Sequence, residues 1–228
     1  NSPHRKYDGV GYNPVLDEPE VAERFYAMVA EIVGKYAADP RIVAWDLFNE
    51  PGNGNRYEAS IPHLQRIFDV ARSMNPSQPL TTGWRGSVQN WKPIEKLALE
   101  LSDVISYHCY GDYEANILMI SNLREFGRPL FNTEWLNRIC HNNVAEAFPL
   151  FFLEKVSCWN WGFVAGLSQT YEPYESMWKQ NEENPALPFD FSRWMHDLFR
   201  PSLHPYDPRE IEIIRKYCRI ADEKRAAQ

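Results

Sequence analysis

Apolar positions recur along this chain at two alternating spacings, and the alternation predicts its elements. From Glu20 to Ala38, the residues Val21, Phe25, Met28, Ile32 and Tyr36 fall three or four apart, the period of a helix with one apolar face. Pro19 suits the first turn of such a helix, where a backbone N–H is not needed. Ile42 to Phe48 is then a short, mostly apolar run of the kind a buried strand shows. The succession repeats. Helices are predicted over Tyr57–Met74, with Ile61, Leu64, Ile67, Phe68 and Ala71 on one face, and over Pro93–Leu101. A further helix covers Tyr113–Phe126, with Ile117, Ile120, Leu123 and Phe126 as its stripe and Gly127 closing it. Another covers Val144–Val156, where Pro149 introduces a kink. Strands are predicted over Pro79–Trp84, Asp103–Tyr110, Pro129–Trp135 and Trp159–Gly166. A last helix covers Pro208–Ile220, with Asp207 as its cap, Pro208 at the first position and Glu210 completing a capping box. Residues 1–18, rich in Gly, Pro and Asn, read as a loop.

Five strands alternating with about six helices imply an α/β protein with a parallel sheet and helices outside it. The pattern by itself also permits an open, doubly wound sheet. No glycine-rich phosphate loop follows any strand, so a nucleotide-binding version of that sheet has little support.

Composition narrows the function classes. The 228 residues are 44% hydrophobic and 24% charged, ordinary for a globular domain, and no run of about 18 apolar residues offers a membrane span. A net charge of −7 argues against nucleic acid or anionic lipid as a partner and fits a neutral substrate. The four cysteines, Cys109, Cys140, Cys158 and Cys218, have neither metal-ligand nor redox spacing and read as free thiols in or near a core. No set of His, Cys and carboxylates has metal-ligand spacing, so neither a catalytic metal nor a cofactor is expected. The chain starts at Asn1 without a charged-then-apolar leader, and its compartment and assembly state are not readable from sequence.

Candidate chemistry collects where strands end. The Ile42–Phe48 run leads into Asn49-Glu50-Pro51 and a Gly52-Asn53-Gly54 turn, and a carboxylate at the end of an apolar strand is costly to bury without purpose. Alternation puts Glu50 on one face with Phe48 and Asp46. Asp46 is a rival carboxylate or a buried structural acid. Ser106, His108 and Tyr110 share a face of the Asp103–Tyr110 strand, and Pro129–Trp135 closes on Thr133-Glu134-Trp135. By itself Asn-Glu-Pro is a weak signal, because polar strand ends before turns are common. His108 has the alternative reading of a satisfied core histidine, and each tryptophan that of core packing.

Together, the WDLFNEP and NTEW strand ends resemble the clan A retaining glycoside hydrolases, and in particular glycoside hydrolase family 5, the cellulases and mannanases. The resemblance extends from about Glu20 onward. It implies a (β/α)8 TIM barrel in which Glu50 ends the fourth strand and Glu134 the seventh. Residues 1–228 then read as a single catalytic domain, N-terminally incomplete, lacking the first three strands of the barrel. The family's mechanism makes Glu50 the acid/base and Glu134 the nucleophile, with carboxyl groups about 5–5.5 Å apart. Glu50 is expected to have a raised pKa, from partial burial and the nearby charge of Glu134, and Glu134 to be ionised among donors. Asn49 matches the family's donor to the sugar 2-hydroxyl. His108 matches a histidine touching sugar or acid/base, and Tyr110 a tyrosine hydrogen-bonded to the nucleophile. Trp161 is the candidate for the family's tryptophan beneath the cleaved sugar, with Trp84 and Trp135 as further stacking candidates and Gln169 as an alternative polar contact. The implied partner is a β-linked oligo- or polysaccharide, β-1,4-mannan or β-1,4-glucan ahead of xylan.

Two other classes stand beside this reading. A glycan-binding or structural fragment without turnover is favoured by the strand count, since five strands cannot close a barrel. An acyl hydrolase lacks the Gly-x-Ser-x-Gly elbow it needs. The stretch from Gln169 to Asp207 is too long for an ordinary loop and holds Tyr171, Tyr174, Trp178, Phe189, Phe191 and Trp194. It is expected to wall one side of a glycan cleft, or else to form a minidomain on the exterior.

Overall fold

A computed structural model of the chain describes residues 14–86 and 88–227. It is an α/β protein with parallel strand pairing, and among the described residues the strands do not close into a barrel. Of the loop expected over residues 1–18, residues 1–13 lie outside the described part, and Pro14–Asp17 forms a 3-10 turn. Contacts divide the chain into two compact units, an amino-proximal one whose described part is 14–86, 88–108 and 123–131, and a carboxyl-proximal one whose described part is 109–122 and 132–227.

The amino-proximal unit runs α1 (Pro19–Tyr36), β1 (Trp45–Asp46), α2 (Ile61–Ser73), β2 (Leu80–Thr81), α3 (Pro93–Leu101) and β3 (Ile105–His108), and includes the start of β4 (Leu130–Glu134). β1 and β2 pair in parallel, Trp45 opposite Leu80 and Asp46 opposite Thr81. Regular strand is shorter than the predicted Ile42–Phe48, yet the pairing bonds continue beyond it. Leu47 N–H donates to Thr81 C=O at 2.9 Å and Glu50 N–H to Gly83 C=O at 2.7 Å. Leu47 and Phe48 are buried, while Val43 lies exposed. β2 leads to β3 through a parallel bridge between Trp84 and Tyr107, with His108 N–H on Trp84 C=O at 2.9 Å.

Leu64, Ile67, Phe68 and Ala71 of α2 are fully buried, as their spacing predicts, and pack in a core with Leu80, Ile94, Ala98, Ile105 and Leu123. α1 is rotated from the expected position. Its buried face is Ala22, Tyr26, Val29 and Val33, and Met28, Ile32 and Tyr36 are exposed. Both stripes obey helical spacing, so periodicity cannot choose between them. The contact with α2 does, since the Tyr26 hydroxyl meets His63 Nδ1 at 2.6 Å.

The carboxyl-proximal unit holds most of α4 (Tyr113–Arg124), the end of β4, α5 (Val144–Leu153), β5 (Ser157–Cys158), α6 (Glu175–Glu183) and α7 (Pro208–Ala226). Trp159 N–H donates to Asn132 C=O at 2.9 Å and Trp161 N–H to Trp135 C=O at 3.0 Å, carrying the β4–β5 pairing beyond the strand. The last strand was expected over Trp159–Gly166. Regular strand is instead Ser157–Cys158, immediately before that range, with only the Trp159 and Trp161 pairing bonds inside it; the chain then turns at Gly162 (φ +82°), after which Phe163 C=O accepts from Leu198 and Phe199 N–H. α4 buries Asn116, Met119, Ile120 and Leu123, so Ile117 of the expected stripe is exposed, as is Phe126 beyond it.

The Gln169–Asp207 stretch packs around a small core that it shares with the segment after β4. Met177 and Met195 pack with Ile139, and Tyr174, Phe189 and Phe191 close around them. Trp178 stacks on Phe191 at 4.1 Å and Trp194 on Tyr206 at 5.0 Å. These aromatics pack on one another, with Trp178 44% exposed at the edge of the cluster.

α7 is longer than predicted, and the expected capping box does not form. The Asp207 carboxylate accepts from Arg209 N–H, and Glu210 turns inward to the buried Arg138 guanidinium at 2.8 and 2.6 Å. Arg138 also donates to the Trp194 and His196 carbonyls. All four cysteines are free, but Cys218 is exposed rather than near a core. No helix is long and apolar enough to cross a membrane among the described residues.

Candidate active site

Glu50 is set by its backbone before its side chain is considered. It adopts a left-handed conformation (φ 44°), rare for a residue with a Cβ, and the Gly83 carbonyl holds its N–H there. Such a conformation costs on the order of 1–3 kcal/mol and persists only where surrounding bonds fix it. The side chain is buried. Its Oε1 lies 2.8 Å from His108 Nδ1, and its Oε2 accepts from the Asn53 amide. Asn53 was legible only as part of a turn. Left-handed Gly52, Gly54 and Asn55 bend the chain so that this amide reaches back three residues.

Burial raises the Glu50 carboxyl, but the hydrogen bond and electrostatic pull of His108, followed by the charge of Arg85 and the Asn53 amide, outweigh it. Glu50 therefore sits below the ordinary glutamate value, a correction to the raised pKa expected of it. Burial alone would raise the carboxyl; the donors that the fold delivers reverse the sign.

Asp46 accepts from Gly83 N–H at 2.9 Å and from the Ser106 hydroxyl at 3.3 Å. Its residue retains accessible surface, yet protein crowds the carboxyl and pushes it above the ordinary value despite those donors. It is a supporting acid beside His108. Gly83 makes the arrangement possible. A Cβ there would stand 2.6 Å from His108 Nε2 and 3.0 Å from Asp46 Oδ2.

Glu134 ends β4, half-buried, with its Oε2 accepting from the Tyr110 hydroxyl at 2.7 Å. Cys109 N–H donates to the Glu134 carbonyl at 3.0 Å. Just beyond, Leu136 takes a left-handed turn (φ 79°), and its N–H donates to Asn142 Oδ1 at 3.0 Å. The Asn142 amide in turn donates to the Cys109 and Gly111 carbonyls at 3.2 and 2.6 Å. One buried side chain thus ties the segment carrying Tyr110 to the segment carrying Glu134. Asn142 left no signal in the sequence, because its role depends on two strand ends meeting.

The other expected site residues fall into two groups. Asn49 is half-buried, and its amide has no hydrogen bond among the described residues. Trp161 is 37% exposed, and Gln169 is partly exposed in a turn where its N–H meets Gly166 C=O at 3.0 Å. Trp84 and Trp135 do not present a stacking face. Trp84 is 2% exposed and packs on Trp91, and Trp135 is 1% exposed between Phe148 and Phe151. Strand alternation explains Trp135, since turning Glu134 to one face sends its neighbour to the other, beneath α5.

The family model of cellulase (glycosyl hydrolase family 5) matches residues 3–162, well over half of the chain. No curated protein matches the sequence. Among solved structures, a β-glucuronidase of Faecalibacterium prausnitzii superposes with a TM-score of 0.56 at 14% identity, covering 87% of this chain and 35% of that one. A GH2 β-galacturonidase of Eisenbergiella tayi gives 0.57 at 13% identity, covering 89% of this chain and 37% of that one. A trimodular GH5_4 endoglucanase gives 0.51 at 13% identity, covering 67% and 38%. At those identities the likeness is one of fold, and this chain spans little more than a third of each structure's length. The family match, on a chain with carboxylates at its strand ends, places this protein in glycosyl hydrolase family 5, the cellulase family.

Proposed function

We propose that this chain carries the acid/base and nucleophile of a retaining glycoside hydrolase acting on a β-linked glycan, on strands that belong to a (β/α)8 barrel. The observation that carries the reading is that each strand-end glutamate has its own donor, His108 on Glu50 and Tyr110 on Glu134, in a chain of this family. In the first step a Glu134 oxygen attacks the anomeric carbon while the Glu50 proton passes to the departing glycosidic oxygen. In the second, Glu50 takes a proton from water, the water oxygen bonds to the anomeric carbon, and Glu134 departs with configuration retained. Asn49, whose amide has no hydrogen bond among the described residues, suits the 2-hydroxyl of the sugar, and Trp161 its apolar face.

The lowered pKa of Glu50 leaves it ionised in the resting protein near neutrality, so substrate entry must load the proton. A sugar that expels water adds burial, which favours the neutral acid. β-1,4-Mannan and β-1,4-glucan are the favoured substrates, on family membership alone. A glycan-binding role without turnover is the second reading, favoured by that same resting ionisation. Reducing-sugar release from mannan, glucan and xylan, measured beside Glu134→Gln, separates the two. Release that disappears in the variant supports the hydrolase. Saturable glycan binding with no release from either protein would overturn it in favour of the binding role.

A further inference from the structure

The Glu134–Tyr110 pair rests on a residue from far along the chain. His196, late in the Gln169–Asp207 stretch, is fully buried. Its Nδ1 lies 2.5 Å from the Leu136 carbonyl, its Nε2 lies 3.2 Å from the Tyr174 hydroxyl, and its ring packs 5.3 Å from that of Tyr110. A carbonyl can only accept, so Nδ1 carries the proton, and in the neutral ring the Tyr174 hydroxyl donates to Nε2. The imidazole therefore has one tautomer and one orientation.

Two of the three groups it touches, the Leu136 carbonyl and the Tyr110 ring, lead to Glu134. Leu136 lies two residues past Glu134 in a left-handed turn, and Tyr110 donates its hydroxyl to Glu134 Oε2. The approach is built into the backbone. Gly162 (φ +82°) lies so close that a Cβ there would meet His196 Cβ at 2.8 Å and Asp197 N at 3.0 Å. On the other side, the Arg138 guanidinium holds the His196 carbonyl at 3.2 Å while paired with Glu210.

We propose that His196 is a positioning residue for the nucleophile: by holding the Leu136 carbonyl and the Tyr110 ring, it fixes where the Glu134 carboxylate points. The proposal rests on the hydrolase reading for its effect on rate, but not for its effect on geometry. A histidine that only fills space would be replaced best by the residue closest to it in volume. A positioning histidine is replaced best by the residue that restores its donor.

Two variants of the full chain distinguish these. His196→Asn puts an amide N–H near the position of Nδ1 and keeps the bond to Leu136. His196→Gln is closer in volume but carries its amide toward Nε2. With the polysaccharide that the wild type cleaves, His196→Asn is expected to retain kcat within about threefold, and His196→Gln to lose about tenfold or more in kcat with KM little changed. In parallel, the side-chain carboxyl resonance of Glu134 is followed by carbon-13 NMR and assigned with Glu134→Gln. It is expected at its wild-type position in His196→Asn and displaced in His196→Gln. Both variants lose the imidazole ring, and they differ in which contact survives: Asn keeps the Leu136 bond, which leads to Glu134, and Gln the Tyr174 contact, which does not. Equal kcat in the two variants, with equal Glu134 resonances, would overturn the proposal. If the wild type releases no sugar, the hydrolase reading fails, and the resonance alone still decides whether His196 positions Glu134.

Discussion

At Gly83 a single hydrogen stands where any other residue would bring a carbon, and three functional contacts depend on it. The backbone of Gly83 holds Glu50 through its carbonyl and Asp46 through its N–H, and the space above its Cα is filled by His108. Gly83→Ala is expected to push His108 off Glu50, lowering kcat/KM about tenfold or more and costing about 1–3 kcal/mol of stability. Melting and kinetics together check this; unchanged values for both would refute the crowding argument. The pH behaviour of Glu50 belongs at the same scale. Its folded-state pKa is depressed, so its contribution to stability is present above the unfolded value and is lost as pH falls through the folded one. Glu50→Gln should therefore flatten the acid limb of unfolding free energy against pH, below about pH 4.5, read from urea melts. A limb as steep in the variant as in the wild type would place the titration elsewhere.

Elements are held by pairs as much as by apolar faces. The Arg138–Glu210 ion pair joins the segment after β4 to the first turn of α7, with Arg138 also capping two carbonyls and lying over the Tyr206 ring at 4.6 Å. Removing one partner leaves the other charged and buried. Glu210→Ala is expected to destabilise by about 3–5 kcal/mol in urea unfolding, more than the loss of a helix cap, which costs about 1 kcal/mol. A loss near 1 kcal/mol would mean that Glu210 acts only as the capping residue its sequence position suggests. Patterns decided α2, whose buried face matches its stripe, because only one apolar stripe runs along it. They misplaced α1 by one residue, because two stripes compete and a tyrosine–histidine contact with α2 selects between them.

For the molecule as a whole, burial separates Cys109 and Cys158 from Cys218 among the four thiols. Burial pushes Cys109 up to about 11 and, with the charge of Cys218 adding to it, Cys158 up to about 12, while Cys218 is exposed. A disulfide reagent at pH 8 should label Cys218 well before Cys109 and Cys158, and all four in urea, as peptide mapping would show. Early labelling of Cys109 would contradict the buried position assigned to it. The family, the alternation of helices and strands, and the two strand-end glutamates were legible in sequence because each is a local pattern that chemistry or periodicity imposes. What the tertiary structure decided was non-local. It placed Trp84 and Trp135 in cores, lowered rather than raised the Glu50 carboxyl, and folded the long aromatic stretch so that it delivers His196 to Tyr110. Those outcomes depend on which donors and rings arrive from dozens of residues away, and spacing along a chain carries no record of that.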